Sequence, residues 1–81
     1  MKTPRNINGL ELSKLLRLYG YIVIRQTGSH IRLSTNENGE HNITIPSHNP
    51  LKIGTLNSII KDISEHFNKT KQEVLQELFE Y

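Results

Sequence analysis

The sequence contains one short stretch in which a glycine turn, a histidine and two arginines fall close together. Gly28 and Ser29 directly precede His30, with Arg25 shortly before them and Arg32 shortly after. A glycine turn offers backbone N–H groups to an approaching phosphate, and guanidinium groups can hold phosphate oxygens through paired hydrogen bonds. A histidine can give or take a proton at physiological pH. These residue types predict proton transfer beside a bound phosphodiester.

Such a group could support cleavage of RNA by transesterification. In that reaction the 2′-hydroxyl attacks the adjacent phosphorus and the 5′-oxygen leaves, which requires proton transfer and charge stabilisation. A competing interpretation treats His30 as an ordinary polar residue on the solvent-exposed face of a strand, with Arg25 and Arg32 solvated or paired across strands. From the pattern alone, the second interpretation is favoured.

The three other histidines are weaker candidates. His41 opens a predicted strand on the core side, so we expect it to be partly buried and hydrogen-bonded. His48 follows a proline and could reach His30 only if its loop folds back. His66 lies near the end of a predicted helix, where a cation is favoured. Their spacing does not fit a zinc site and the chain has no cysteine, so we expect no metal and no cofactor.

Apolar spacing predicts the element order α-β-β-β-α-α. Asn8 with Glu11 has the spacing of a capping box before the first helix. Thr70 with Glu73 repeats it before a short C-terminal helix. The helical stripes are Leu12, Leu15, Leu16 and Tyr19; Leu56, Ile59, Ile60, Ile63 and Phe67; and Val74, Leu75, Leu78 and Phe79.

Residues 21–25 are β-branched and aromatic, and residues 30–34 and 42–45 alternate between apolar and polar side chains. Together the three segments predict an antiparallel meander. Period-two alternation places six side chains on the core face: Ile22, Ile24, Ile31, Leu33, Ile43 and Ile45. We expect the opposite face to be exposed to solvent and call it the open face. It is predicted to carry Tyr21, Val23, Arg25, His30, Arg32, Asn42 and Thr44.

Composition indicates a single small domain spanning residues 1–81. The chain is 35% hydrophobic and 22% charged, with a net charge of +2. Residues 1–36 carry six Lys and Arg against one Glu, whereas residues 37–81 carry four Lys against seven acidic residues. The N-terminal half could therefore attract a polyanion, with Lys14 and Arg17 as further candidate contacts. No apolar run reaches membrane-spanning length and no signal peptide is evident, so we expect a cytoplasmic protein.

Two parts of the sequence resemble the HicA toxins of bacterial type II toxin–antitoxin systems. The first contains Gly9 to Gly20, the strand Tyr21 to Gln26 and the triplet Gly28-Ser29-His30. The second is the stretch Ile45 to Ile60, with an apolar-Pro-x-His loop followed by Leu-Lys-x-Gly-Thr-Leu and an isoleucine-rich helix. Many members of the family have proline where Ile53 stands here.

The resemblance implies an α+β fold similar to the double-stranded RNA-binding domain, with α-β-β-β-α order and its helices on one face of the sheet. It also implies metal-independent endoribonuclease activity on mRNA, which arrests translation. His30 maps onto the family's catalytic histidine. The implied partners are mRNA and a HicB-like antitoxin that covers this histidine.

Two alternative functions remain open from the sequence. A non-catalytic module that binds double-stranded RNA would normally carry a lysine cluster at the start of the second helix, where only Lys52 is present. A protein-interaction module would use the polar sheet face to bind a partner. The second catalytic group is also open: Ser29, His48 and water are the candidates.

Overall fold

The computed structural model describes residues 6–79, which form three helices and one three-stranded sheet. The elements in chain order are α1 (Gly9–Leu15), a 3-10 turn (Leu16–Tyr19), β1 (Ile22–Gln26), β2 (His30–Thr35), β3 (His41–Pro46), α2 (Ile53–His66) and α3 (Lys71–Phe79). The sheet is antiparallel with strand order β1-β2-β3. The predicted α+β class and the α-β-β-β-α-α order are therefore confirmed.

Both predicted capping boxes form. The backbone N–H of Glu11 donates to Asn8 Oδ1 at 2.8 Å, and the backbone N–H of Asn8 donates to Glu11 Oε1 at 3.0 Å. Thr70 and Glu73 make the same two bonds before α3, at 2.9 and 3.0 Å. These bonds satisfy N–H groups that have no partner within the helix.

The core lies between the helices and one face of the sheet. Ile31, Leu33 and Ile45 are fully buried and Ile43 almost so, as the alternation predicts. Helix α1 packs on β2 and β3, α2 packs on β3, and α3 packs on α2. The open face is the opposite side of β2 and β3, where His30, Arg32, Asn42 and Thr44 are exposed.

The prediction for the apolar stripe of the first helix is wrong at one side chain. Leu15 is 37% exposed, whereas Gly9, Leu12, Ser13 and Leu16 are buried. These four buried positions follow i, i+3, i+4 and i+7 spacing, so they define the inner face and leave Leu15 on its flank.

The predicted faces of β1 are also wrong. Tyr21, expected on the open face, is fully buried, while Ile22 and Ile24, expected in the core, are 61% and 53% exposed. Ile22 pairs with Ser34, which places it on the open-face side, and Val23 pairs with the buried Leu33. Val23 was also expected on the open face. Its pairing places it on the core side of the sheet instead, although it is 45% exposed.

A register shift between Val23 and Arg25 explains why Arg25 is nevertheless predicted correctly. The shift inserts Ile24 as an extra residue, so the parity of the strand changes at that point. Arg25 then pairs with Arg32 and returns to the open face. A rule based on strict alternation cannot detect one inserted residue.

Candidate active site

His30 is the first residue of β2 and lies exposed on the open face. Its backbone carbonyl accepts a hydrogen bond from the N–H of Thr27 at 2.9 Å, which closes the turn between β1 and β2. Its side-chain Nδ1 lies 3.0 Å from Ser29 Oγ. The ring is thus oriented by its neighbour in the turn, and its other nitrogen makes no hydrogen bond with any residue in the range 6–79.

Gly28 occupies an unobstructed position at the tip of this turn. Its φ angle lies outside the left-handed region. Among the glycines of residues 6–79, Gly20 and Gly39 are the ones that adopt that region. The turn therefore does not require glycine at position 28 for its backbone conformation. A side-chain carbon built on Gly28 would meet no atom within 4 Å. The turn is consequently open to close approach from solvent.

Arg25 and Arg32 form a cross-strand pair of like charges on the same face as His30. Their Cα atoms are register partners in β1 and β2. Arg32 donates to Thr44 Oγ1 at 3.1 Å, and neither arginine has a carboxylate partner among residues 6–79. Directly opposed like charges are unfavourable in a sheet. An anion bound between them would relieve that repulsion.

Lys14 and Arg17 do not join this group. Both are exposed, as predicted, but they lie on the helical segment that packs on the core side of the sheet. His30 and Arg32 lie on the opposite side. Any contact that Lys14 or Arg17 makes with the same RNA therefore belongs to a different surface.

The loop that carries His48 folds back against the His30 turn. Ser47 N–H donates to the carbonyl of Ser29 at 3.0 Å, and Ser47 Oγ donates to the carbonyl of Gly28 at 2.9 Å. Gly9 N–H donates to the carbonyl of His48 at 3.2 Å, which fixes the loop to the start of α1. The loop thus folds back, which is the condition under which His48 could reach His30.

Gly9 is a positioning residue that sequence reasoning missed. A side-chain carbon at this position would overlap the carbonyl oxygen of Pro46. A cleft lies between this contact and the turn, lined by Asn8, Gly9, Leu10, Gln26, Ile31, Ser47, His48 and Asn49. No local pattern marks Gly9, because the requirement comes from a strand far along the chain.

His41 and His66 belong to a separate, structural network at the other end of the sheet. Tyr21 Oη lies 2.7 Å from His41 Nδ1, and His41 Nε2 lies 3.3 Å from Asp62 Oδ1. The rings of His41 and His66 stack with centroids 4.4 Å apart. Burial, and secondarily the Asp62 carboxylate, raises the pKa of Tyr21, so its hydroxyl stays protonated. His41 is partly buried and hydrogen-bonded, as predicted.

His66 holds the turn between β2 and β3. Its Nε2 donates to the carbonyls of Glu37 and Gly39, at 2.9 and 3.1 Å. Asn38 Nδ2 in turn donates to the carbonyl of His66 at 2.8 Å. Across residues 6–79 no three histidine or carboxylate side chains are grouped so that they could hold a metal ion.

Helix α3 is attached to the 3-10 turn that follows α1 through the carboxylate of Glu77. Tyr19 Oη donates to Glu77 Oε1, and Lys69 Nζ donates to both Glu77 oxygens at 3.0 and 2.9 Å. The Tyr19 hydroxyl, followed by Lys69, lowers the pKa of Glu77. Burial, followed by the Glu77 carboxylate, raises the pKa of Tyr19.

No helix within residues 6–79 is long and apolar enough to cross a membrane.

The comparison with protein families gives one match. The family model for the HicA toxin of bacterial toxin–antitoxin systems matches residues 9–64, which is more than half of the chain. Neither the curated proteins nor the solved structures compared with the chain give a match. The matched range includes α1, the sheet with the Gly28-Ser29-His30 turn, the folded-back loop and most of α2. The chain therefore belongs to the family of HicA toxins.

Proposed function

We propose that this toxin is an endoribonuclease that cleaves mRNA in the cytoplasm and thereby arrests translation, with His30 as its catalytic acid–base group. One observation carries the proposal. An exposed histidine shares the open face with two opposed arginines that no described carboxylate neutralises. Proton transfer and phosphate binding are thus available at one exposed surface.

In the proposed reaction His30 takes the proton of the attacking 2′-hydroxyl. If Nδ1 donates to Ser29 Oγ, then Nε2 is the unprotonated nitrogen and serves as the base. The bond between the 2′-oxygen and phosphorus forms as the bond between phosphorus and the 5′-oxygen breaks. The 5′-oxygen receives a proton from Ser29, His48 or water. No step needs a metal ion or a cofactor.

Arg25 and Arg32 are proposed to hold the phosphate that reacts or the one beside it. Residues two apart in a strand are separated by roughly 7 Å and point to the same face, so His30 and Arg32 can contact the same part of a bound RNA strand. Gly28 and Ser29 offer the backbone of the turn to the same phosphate. Lys14 and Arg17 are proposed to contact a separate part of the RNA.

The decisive experiment incubates purified protein with an mRNA in the presence of EDTA. The wild type is expected to leave products with 2′,3′-cyclic phosphate and 5′-hydroxyl ends, because the 2′-oxygen is the nucleophile. The matched control is His30→Ala prepared in the same way. Equal cleavage by both proteins, or cleavage that EDTA abolishes, would show that the proposed chemistry is wrong.

A further inference from the structure

The outer edge of β1 is an uncovered apolar surface. β1 is an edge strand, because among the strands of residues 6–79 it has β2 on one side and none on the other. Its residues Ile22, Val23 and Ile24 are 61%, 45% and 53% exposed. An uncovered edge of this kind is a template for pairing with another chain.

The other sheet edge provides an internal comparison. On β3 the exposed side chains are the polar Asn42 and Thr44, while Ile43 and Ile45 are buried between them. The open-face positions of that edge are therefore polar. Of the two sheet edges, only β1 carries successive exposed aliphatic side chains.

The distribution of these side chains indicates how a partner would bind. Ile22 pairs with Ser34 on the open-face side, whereas Val23 pairs with Leu33 and points the other way. The apolar surface therefore extends around both sides of the edge. A strand added alongside β1 presents side chains on both faces and would cover both sides at once.

We propose that the antitoxin docks on β1 by adding an extended apolar strand to this edge. β-branched aliphatic side chains offer little to RNA, which binds through phosphate contacts and aromatic stacking. Arg25, the residue before the last one of β1, has no carboxylate partner among residues 6–79, so the docking segment should carry an acidic residue beside it. The inference rests on the antitoxin that membership in the HicA toxin family implies, and not on the nuclease chemistry of the proposed function.

The same geometry explains how docking would silence the site. From Ile24 to the turn before His30 is about three residues, or roughly 10 Å of strand. A docking segment of about six residues alongside β1 would therefore extend to the level of the turn that precedes His30. A standard interface of about 800 Å² per partner would extend from the edge over the adjacent open face.

The test measures affinity for a purified HicB-like antitoxin and uses His30→Ala as the background for every variant. The double variant Ile22→Lys/Ile24→Lys places two charges on the edge. Its matched control, Asn42→Lys with Glu40→Gln, adds the same charge at β3. We expect the β1 variant to bind at least about 100-fold more weakly and the β3 variant to bind as the background does.

Hydrogen exchange supplies the second measurement. We expect the amides of residues 22–26 to become protected in the complex. Thermal melting verifies that each variant is folded, and the single variant Ile24→Lys repeats the test if the double variant is not. Unchanged affinity of the β1 variant, or protection confined to α3, overturns the proposal. Protection of residues 22–26 in the free protein that rises with its concentration assigns the edge to a second copy and also overturns it.

The two proposals fail separately. If wild type and His30→Ala cleave RNA equally while the β1 variant loses antitoxin binding, then the nuclease chemistry is wrong and the docking edge stands. If a wild-type chain binds no such antitoxin, then the docking proposal is wrong whatever the nuclease assay shows.

Discussion

At the level of single residues, two glycines near His30 have opposite surroundings. Gly28 faces open space, whereas Gly9 is in close contact with the carbonyl of Pro46. The first is therefore available for ligand approach, and the second sets the distance between α1 and β3. Sequence patterns single out Gly28, because it lies in a turn two residues before His30, and they do not distinguish Gly9.

Alanine at these two glycines should therefore have different effects on stability. Gly28→Ala should change the free energy of unfolding by no more than about 0.5 kcal/mol. Gly9→Ala should cost about 1–3 kcal/mol, because the added carbon forces α1 and the loop apart. Thermal or urea melts of the two variants measure the difference. Equal melting of both would show that the contact between Gly9 and Pro46 does not constrain the fold.

At the level of elements, local patterns predicted the helices better than the edge strand. The two capping boxes depend on residues three apart, so the sequence contains the whole interaction. The faces of β1 depend on a bulge and on what covers the sheet edge, neither of which leaves a local pattern. The prediction failed at Tyr21, Ile22 and Ile24 for this reason.

The attachment of α3 should depend on pH through Glu77. Its pKa is lowered in the folded state, chiefly by the Tyr19 hydroxyl and then by Lys69, from an ordinary value of 4.5. A lowered pKa contributes stability that is complete above the unfolded value and is lost as the pH falls through the folded value. Glu77→Gln should therefore be less stable than the wild type at pH 7, with the gap closing at a pH well below that ordinary value.

Urea unfolding at the two pH values measures this gap. Glu65→Gln is the matched control, because Glu65 is an exposed carboxylate of α2 and makes no described side-chain hydrogen bond. Its stability should differ little from the wild type at either pH. A gap for Glu77→Gln that persists unchanged at low pH would show that the ionised carboxylate is not what holds α3.

At the level of the whole molecule, the predicted charge asymmetry acquires a spatial meaning. The cross-strand pair Arg25 and Arg32 lies on the open face with His30. Lys14 and Arg17 lie on the helical segment that packs against the other face of the sheet. The sequence predicted that these groups are exposed, but it could not predict which of them share a surface. That depends on the bulge in β1 and on the packing of α1.

RNA binding should show the open-face arginines as salt-dependent contacts. If about four phosphates are contacted, the logarithm of the binding constant should fall with the logarithm of salt concentration at a slope near −3. Neutralising Arg25 and Arg32 to glutamine should flatten that slope by about one to one and a half. The matched control neutralises Lys61 and Lys71 in the helical layer and should leave it unchanged. An unchanged slope for the arginine variant would place the RNA on another surface.

The most direct test of the account compares two adjacent residues of β2. His30 is exposed on the open face, whereas Ile31 is fully buried beside Ile45. We expect His30→Ala to melt close to the wild type, within about 0.5 kcal/mol, while RNA cleavage in EDTA falls by about 10²–10⁴-fold. Ile31→Ala should lose about 2–5 kcal/mol of stability. A His30→Ala protein that unfolds, or one that cleaves RNA at the wild-type rate, would contradict the assignment of His30.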